Sequence, residues 1–119
     1  MKLAVRQTSR ATIIDVSGDV DLESSPDLRS TLLNLMKRGS PPGVLVNLTQ
    51  VPYIDSSGIA TLVEGLKLSL EAKIPYGLFG LGKSPRSVLE LARLHKVFQI
   101  FETEQEALEK LGGASSAAG

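Results

Sequence analysis

The chain has 119 residues, of which 42% are hydrophobic and 22% charged, so it has enough apolar material for one soluble domain with a single core. Thirteen Lys and Arg balance thirteen Asp and Glu, there is no Trp, and only two Tyr and three Phe are present. No basic run neutralises a polyanion and no aromatic platform stacks bases, so nucleic acid is excluded as a partner. The lack of cysteine removes disulfides, thiolate metal sites and thiol nucleophiles, and His95 alone builds no metal site, so no cofactor is expected.

From the N-terminus, Leu3 and Val5 alternate with polar neighbours, Thr8-Ser9-Arg10 is a turn, and Ala11 to Val16 is rich in β-branched residues. This pattern predicts a hairpin ended by Gly18. No continuous apolar stretch follows Met1-Lys2, and none elsewhere approaches the roughly 20 residues of a membrane span, so a cytoplasmic protein without membrane insertion is expected. A helix is predicted from Ser24 or Ser25, with Pro26 in its first turn and Leu28, Leu32, Leu35 and Met36 on one face, stopping at Gly39.

Val44-Leu45-Val46-Asn47-Leu48 suits a strand buried on both faces. Asp55-Ser56-Ser57-Gly58 then opens a second helix whose Ile59, Leu62, Val63, Leu66 and Leu70 form a stripe. A strand is predicted over Tyr76 to Leu81, and Ser84-Pro85 supplies a capping hydroxyl and a helix-starting proline. That third helix carries Val88, Leu91, Ala92 and His95. Val97 to Phe101 reads as a short strand, and Thr103 with Glu106 has capping-box spacing for a last helix ending near Leu111. The order predicts an α/β domain over residues 1–111, a mixed four- to five-stranded sheet with about four helices. Residues 112–119 are small and polar and read as a disordered tail.

The segment Val51 to Ile59 joins a buried strand to a helix start, where sites collect in open α/β sheets. Its two hydroxyls are expected to be exposed and close to free backbone N–H groups, where a phosphate is tolerated. An ordinary helix cap has the same composition, so residue chemistry leaves cap and functional site both open.

Asp55-Ser56-Ser57-Gly58-Ile59, after Tyr53-Ile54 and the Val-Leu-Val-Asn-Leu strand, resembles the signature of STAS-domain anti-sigma-factor antagonists. Val16-Ser17-Gly18-Asp19-Val20-Asp21-Leu22 is similar to that family's Gly-Glu-Leu-Asp segment, with Asp19 where glutamate is usual. The likeness covers about residues 3 to 111. It implies that Ser56 accepts phosphate from an anti-sigma factor with serine kinase activity, and that a metal-dependent serine phosphatase removes it. The unphosphorylated form would bind the anti-sigma factor and release sigma. Partner binding would fall to Asp19, Asp21, Asp55, Ser56, Ser57 and Gly58, with no catalysis by this chain. The resemblance also allows a non-phosphorylated STAS partner of a transporter ATPase or of a signalling complex.

Three other chemistries are weaker. A serine hydrolase would depend on His95 and lacks a Gly-x-Ser-x-Gly elbow. A phosphoacceptor-aspartate domain needs an acidic pair after the first strand, whereas Asp19 and Asp21 follow the second. Gly77 to Ser84 satisfies the P-loop pattern formally, but its first residues read as strand and Pro85 removes a helix-start N–H.

Overall fold

In the computed structural model, which describes residues 1–112, nine elements follow one another in the anticipated order. They are β1 (Lys2–Gln7), β2 (Thr12–Ser17), α1 (Ser25–Arg38), β3 (Val44–Gln50), α2 (Ser56–Ala72), β4 (Tyr76–Phe79), α3 (Lys83–Leu91), β5 (Gln99–Phe101) and α4 (Glu104–Lys110). The part of the tail beyond residue 112 lies outside the described residues.

The strands form one sheet in the order β1-β2-β3-β4-β5, antiparallel between β1 and β2 and parallel thereafter. Each crossover therefore steps to the adjacent strand in the same direction. With right-handed connections, that places α1, α2 and α3 on one face of the sheet. Ile14, Val16, Val44, Val46, Leu48 and Leu78 point to that face and pack with Leu28 and Leu32 of α1, Leu62 of α2 and Leu89 of α3. Helix α4 follows the last strand and covers the other face, where Ile13, Leu45, Phe79 and Phe101 meet Ala107. Gly65 lets α2 approach the sheet closely, since a Cβ there would lie 2.7 Å from the Tyr76 hydroxyl, which donates to the Leu62 carbonyl at 3.1 Å.

Several boundaries differ from the sequence expectation. The β4 strand ends at Phe79 instead of Leu81, because Gly80 turns the chain with φ +76°. A Cβ on Gly80 would run into the Thr49 side chain, so glycine is needed there for space as well as conformation. Helix α3 begins at Lys83, one residue before the expected Ser84 cap, with Gly82 in the cap position and no side-chain cap. Its buried residues are Pro85 and Leu89, while Leu91 is 86% exposed and His95 lies beyond the helix end. The α2 stripe likewise holds at Ile59 and Leu62 but not at Leu70, which is 70% exposed because the buried face of the helix runs through Gly58, Leu62, Gly65 and Ser69 instead. The β5 strand starts at Gln99, because Val97 lies in the connection. Thr103 caps α4 as anticipated, its hydroxyl oxygen accepting from the Glu106 N–H.

A polar cluster fastens α4 to the sheet. Arg6 on β1 donates to both carboxylate oxygens of Asp15 on β2, at 2.6 and 3.0 Å, and to Glu104 on α4 at 2.7 Å. The Asn47 amide also donates to Asp15, at 2.8 Å. The Arg6 guanidinium, and then the Asn47 amide, hold the Asp15 carboxyl below its ordinary range. Arg6 is 43% and Asp15 30% exposed, so solvent screens the pair and its contribution is modest. A depressed carboxyl stabilises fully above its unfolded value of about 3.9, and that stabilisation is lost as pH falls through the folded value. Replacing Asp15 by Asn should therefore give a protein whose urea midpoint declines less than that of wild type between about pH 5 and pH 2. Parallel declines in the two proteins would show that Asp15 carries no acid sensitivity.

Candidate functional site

The Asp55–Gly58 segment lies where β3 runs into α2, at the C-terminal end of the parallel strands. Asp55 is the N-cap of α2, in an extended conformation. Its Oδ1 accepts from the N–H groups of Ser57 at 2.8 Å and Gly58 at 3.0 Å. Its Oδ2 accepts from the Leu22 N–H at 3.2 Å, so one carboxylate joins the helix start to the β2–α1 connection. The same two segments are sewn together by backbone bonds from Val20 N–H to Tyr53 C=O at 3.0 Å and from Asp55 N–H to Val20 C=O at 3.1 Å. The two sequence stretches that carried the family resemblance are therefore neighbours in space.

The residues expected at the site separate by depth. Ser56, the first helical residue, is exposed, and Ser57 is half-buried. Gly58 is buried, and a Cβ there would come within 2.6 Å of the Ile54 methyl and 2.8 Å of the Val20 carbonyl. Asp19 is exposed. Asp21 is half-buried and turned inward, its Oδ1 accepting from the N–H groups of Glu23 and Ser24 and from the Ser24 hydroxyl at about 3 Å. The Ser24 N–H, followed by its hydroxyl, holds the Asp21 carboxyl below the usual range. Asp21 thus orders the approach to α1, as Asp55 orders the approach to α2.

One expectation is corrected here. The N–H groups of Ser57 and Gly58 are not free, because Asp55 occupies both.

Local pattern did not point to the apolar and ionic frame around Ser56. Leu22 and Tyr53 are 74% and 48% exposed on the two joined segments. Beside them, Arg29 of α1 pairs with Glu64 of α2 through two bonds at 2.7 and 3.0 Å. This pair borders a groove of about 320 Å³ that Leu22, Pro26 and Ser57 also line. The complementary charges on the two helices were readable, but not the packing that brings them together.

The competing chemistries lose their geometry. His95 precedes β5 and Ser56 follows β3, so in a parallel arrangement they stand at opposite ends of the sheet and no Ser–His pair forms. Gly77 to Phe79 are paired to β3 on one side and β5 on the other, which leaves only Gly80 to Gly82 as loop and no cradle for phosphates. Among the described residues, no group of three His, Cys, Asp or Glu converges as a metal site, and no helix is long and apolar enough to cross a membrane.

The STAS domain family model matches residues 2–107. An anti-sigma F factor antagonist from Paenibacillus polymyxa is 22% identical over 99 residues, covering 83% of this chain and 85% of that protein. An anti-sigma-factor antagonist (STAS) domain protein from Planctomyces limnophilus superposes with a TM-score of 0.80 at 27% identity, over 89% of this chain and 94% of that one. The phosphorylated form of the Bacillus cell fate determinant SpoIIAA shares the fold, with a TM-score of 0.73 at 17% identity, over 92% and 98% of the two chains.

The space around Gly58 gives a direct test of how the site is built. Gly58→Ala should lower stability by about 1–3 kcal/mol in urea unfolding, because overpacking against Val20 and Ile54 outweighs alanine's better helix propensity. A neutral or stabilising effect would mean that the α2 start is not held against the Val20 connection.

Proposed function

Because the chain belongs to the STAS domain family, we propose that it is an anti-sigma-factor antagonist whose binding is switched at Ser56. The observation that carries this reading is the exposed Ser56 hydroxyl at the first position of α2, in an Asp-Ser-Ser-Gly start rigidly tied to the β2–α1 connection. The relatives at 22% and 27% identity, both described as anti-sigma factor antagonists, support the general role. The partner is an anti-sigma factor that acts as a serine kinase, and a metal-dependent serine phosphatase resets the switch in the cytoplasm.

In the forward step the Ser56 Oγ attacks the γ-phosphorus of the kinase's ATP. A new P–O bond forms as the bond to the β-phosphate oxygen breaks, ADP leaves, and the hydroxyl proton passes to a base of the kinase. The side chain gains a charge of about −1.5 to −2 at neutral pH. The phosphate on exposed Ser56 lies beside the carboxylates of Asp55 and Asp19. Phosphoserine then meets like charge from the nucleotide phosphates across the interface. Such juxtaposition costs several kcal/mol, enough for about two decades in affinity. No change of fold is required.

Exposed Asp19, Leu22, Tyr53 and Ser56 form the binding face, with Ser57 on its inner side. Asp21, Asp55 and Gly58 serve that face by shaping the two segments.

Phosphopeptide mass spectrometry of the protein from its own host, unstressed and stressed, should find phosphate on Ser56 that varies with condition. Calorimetric titration of the anti-sigma factor should show Ser56→Ala binding within about threefold of wild type and Ser56→Asp at least tenfold weaker. A Ser56 that is unmodified in every condition, with a transporter ATPase recovered as partner, would replace this reading by the non-phosphorylated one.

A further inference from the structure

The pole of the molecule opposite Ser56 carries a different chemistry. All four parallel strands begin there and all four helices end there. Around it stand Arg10 in the β1–β2 turn, Lys37 and Arg38 at the end of α1, Lys73 after α2, and Arg93 and Lys96 after α3, every one exposed. None of these six takes part in the ion pairs of the described residues, which involve Arg6, Arg29, Arg86 and Lys110 instead. Among the described residues the carboxylates at this pole are Glu71, Glu90 and Glu109, so these six cations outnumber them although the chain as a whole has no net charge.

Helix dipoles explain only part of this. Lys37 and Arg38 lie in the last turn of α1 and complement its carbonyl end. Lys73 and Arg93 also stand at the carbonyl ends of α2 and α3, and in addition they hold φ angles of 59° and 61°, the two positive values at non-glycine residues among those described. Glycine is the favoured residue at such helix ends, and a long cationic side chain there is a local strain with no compensating ion pair. Strained positions of this kind point to a use for the side chain.

Apolar side chains stand among these cations. Leu70 and Lys73 line one groove of about 370 Å³, and Leu91, Arg93 and Lys96 line another of about 400 Å³. Leu70, Leu91 and Val97 are 70%, 86% and 54% exposed, whereas the aromatic residues of this end, Tyr76 and Phe98, are buried.

We propose that this pole is a peripheral docking surface for an anionic lipid membrane. The cations are spread over four separate connections around a face, which fits the continuous negative charge of a headgroup plane better than a single acidic peptide in a groove. The aliphatic side chains between them reach the acyl boundary, and the two signals together give the reversible adhesion that neither supplies alone. The lack of an exposed aromatic at this end among the described residues argues against single-stranded nucleic acid, which would stack its bases. In this orientation Ser56 faces away from the membrane, so docking leaves the switch accessible.

Sedimentation of the full chain with vesicles tests the proposal. The wild type should pellet with mixed phosphatidylcholine–phosphatidylglycerol vesicles and remain in solution with phosphatidylcholine alone, and binding should fall as salt is raised. The double variant K73G/R93G removes two charges while supplying the residue that the backbone prefers, so it should stay folded and bind roughly 10- to 30-fold more weakly. Ser56→Ala should bind as wild type does. Equal pelleting with both vesicle types, pelleting with neither, or undiminished binding of K73G/R93G would overturn the proposal. If vesicles fail but immobilised polyglutamate retains the wild type and not K73G/R93G, the occupant is an acidic protein and the lipid assignment is wrong.

Discussion

The carboxylate of Asp55 binds three backbone N–H groups drawn from two parts of the chain. Two of them start α2, and the third belongs to Leu22, thirty-three residues earlier. A helix start and a long connection are thereby fixed relative to each other without a metal, a disulfide or a buried ion pair. The arrangement requires that nothing stand between the two segments, which is why Gly58 is buried against Val20 and Ile54. The exposed Ser56 hydroxyl stands on this base.

The sheet sets the directions that make this possible. Because every crossover moves one way, three helices share a face and all the connections that leave strand C-termini collect at one end. The other end receives the helix C-termini with their exposed lysines and arginines. A chain with no net charge becomes a molecule with two chemically distinct poles through topology alone.

Much of this was legible in the residues, for reasons that can be named. The β-branched run Thr12 to Val16, the apolar Val44 to Leu48 and the stripe through Leu28 and Leu32 each repeat a strong local rule, and their elements appear as expected. The Thr103 cap was readable because its hydroxyl meets a helix amide three residues on. Legibility failed where tertiary packing overrides local pattern. Leu70 and Leu91 fit a helical period but face outward, while their near neighbours Ser69 and Leu89 are buried. Ser84-Pro85 looks like a helix start, yet after the turn at Gly80 the chain enters the helix two residues sooner. The expectation of free amides beside the two hydroxyls failed at Ser57 and Gly58, because spacing cannot tell which partner a cap will take. Asp19, Asp21, Asp55, Ser56, Ser57 and Gly58 were singled out together, but only the folded chain separates buried Gly58 from exposed Asp19 and Ser56.

The strictly sequential order of the strands also bears on how the chain assembles. Every strand pairs with its predecessor, so each new pairing closes only the loop made by one intervening helix, at a small entropic cost. During synthesis the hairpin of β1 and β2 can form first, and each later strand then finds its template already in place. Only the fastening of α4, through Arg6 to Glu104 and Arg10 to the Leu108 carbonyl, joins positions ninety-eight residues apart. That clasp closes a loop of ninety-eight residues and so carries the larger closure entropy.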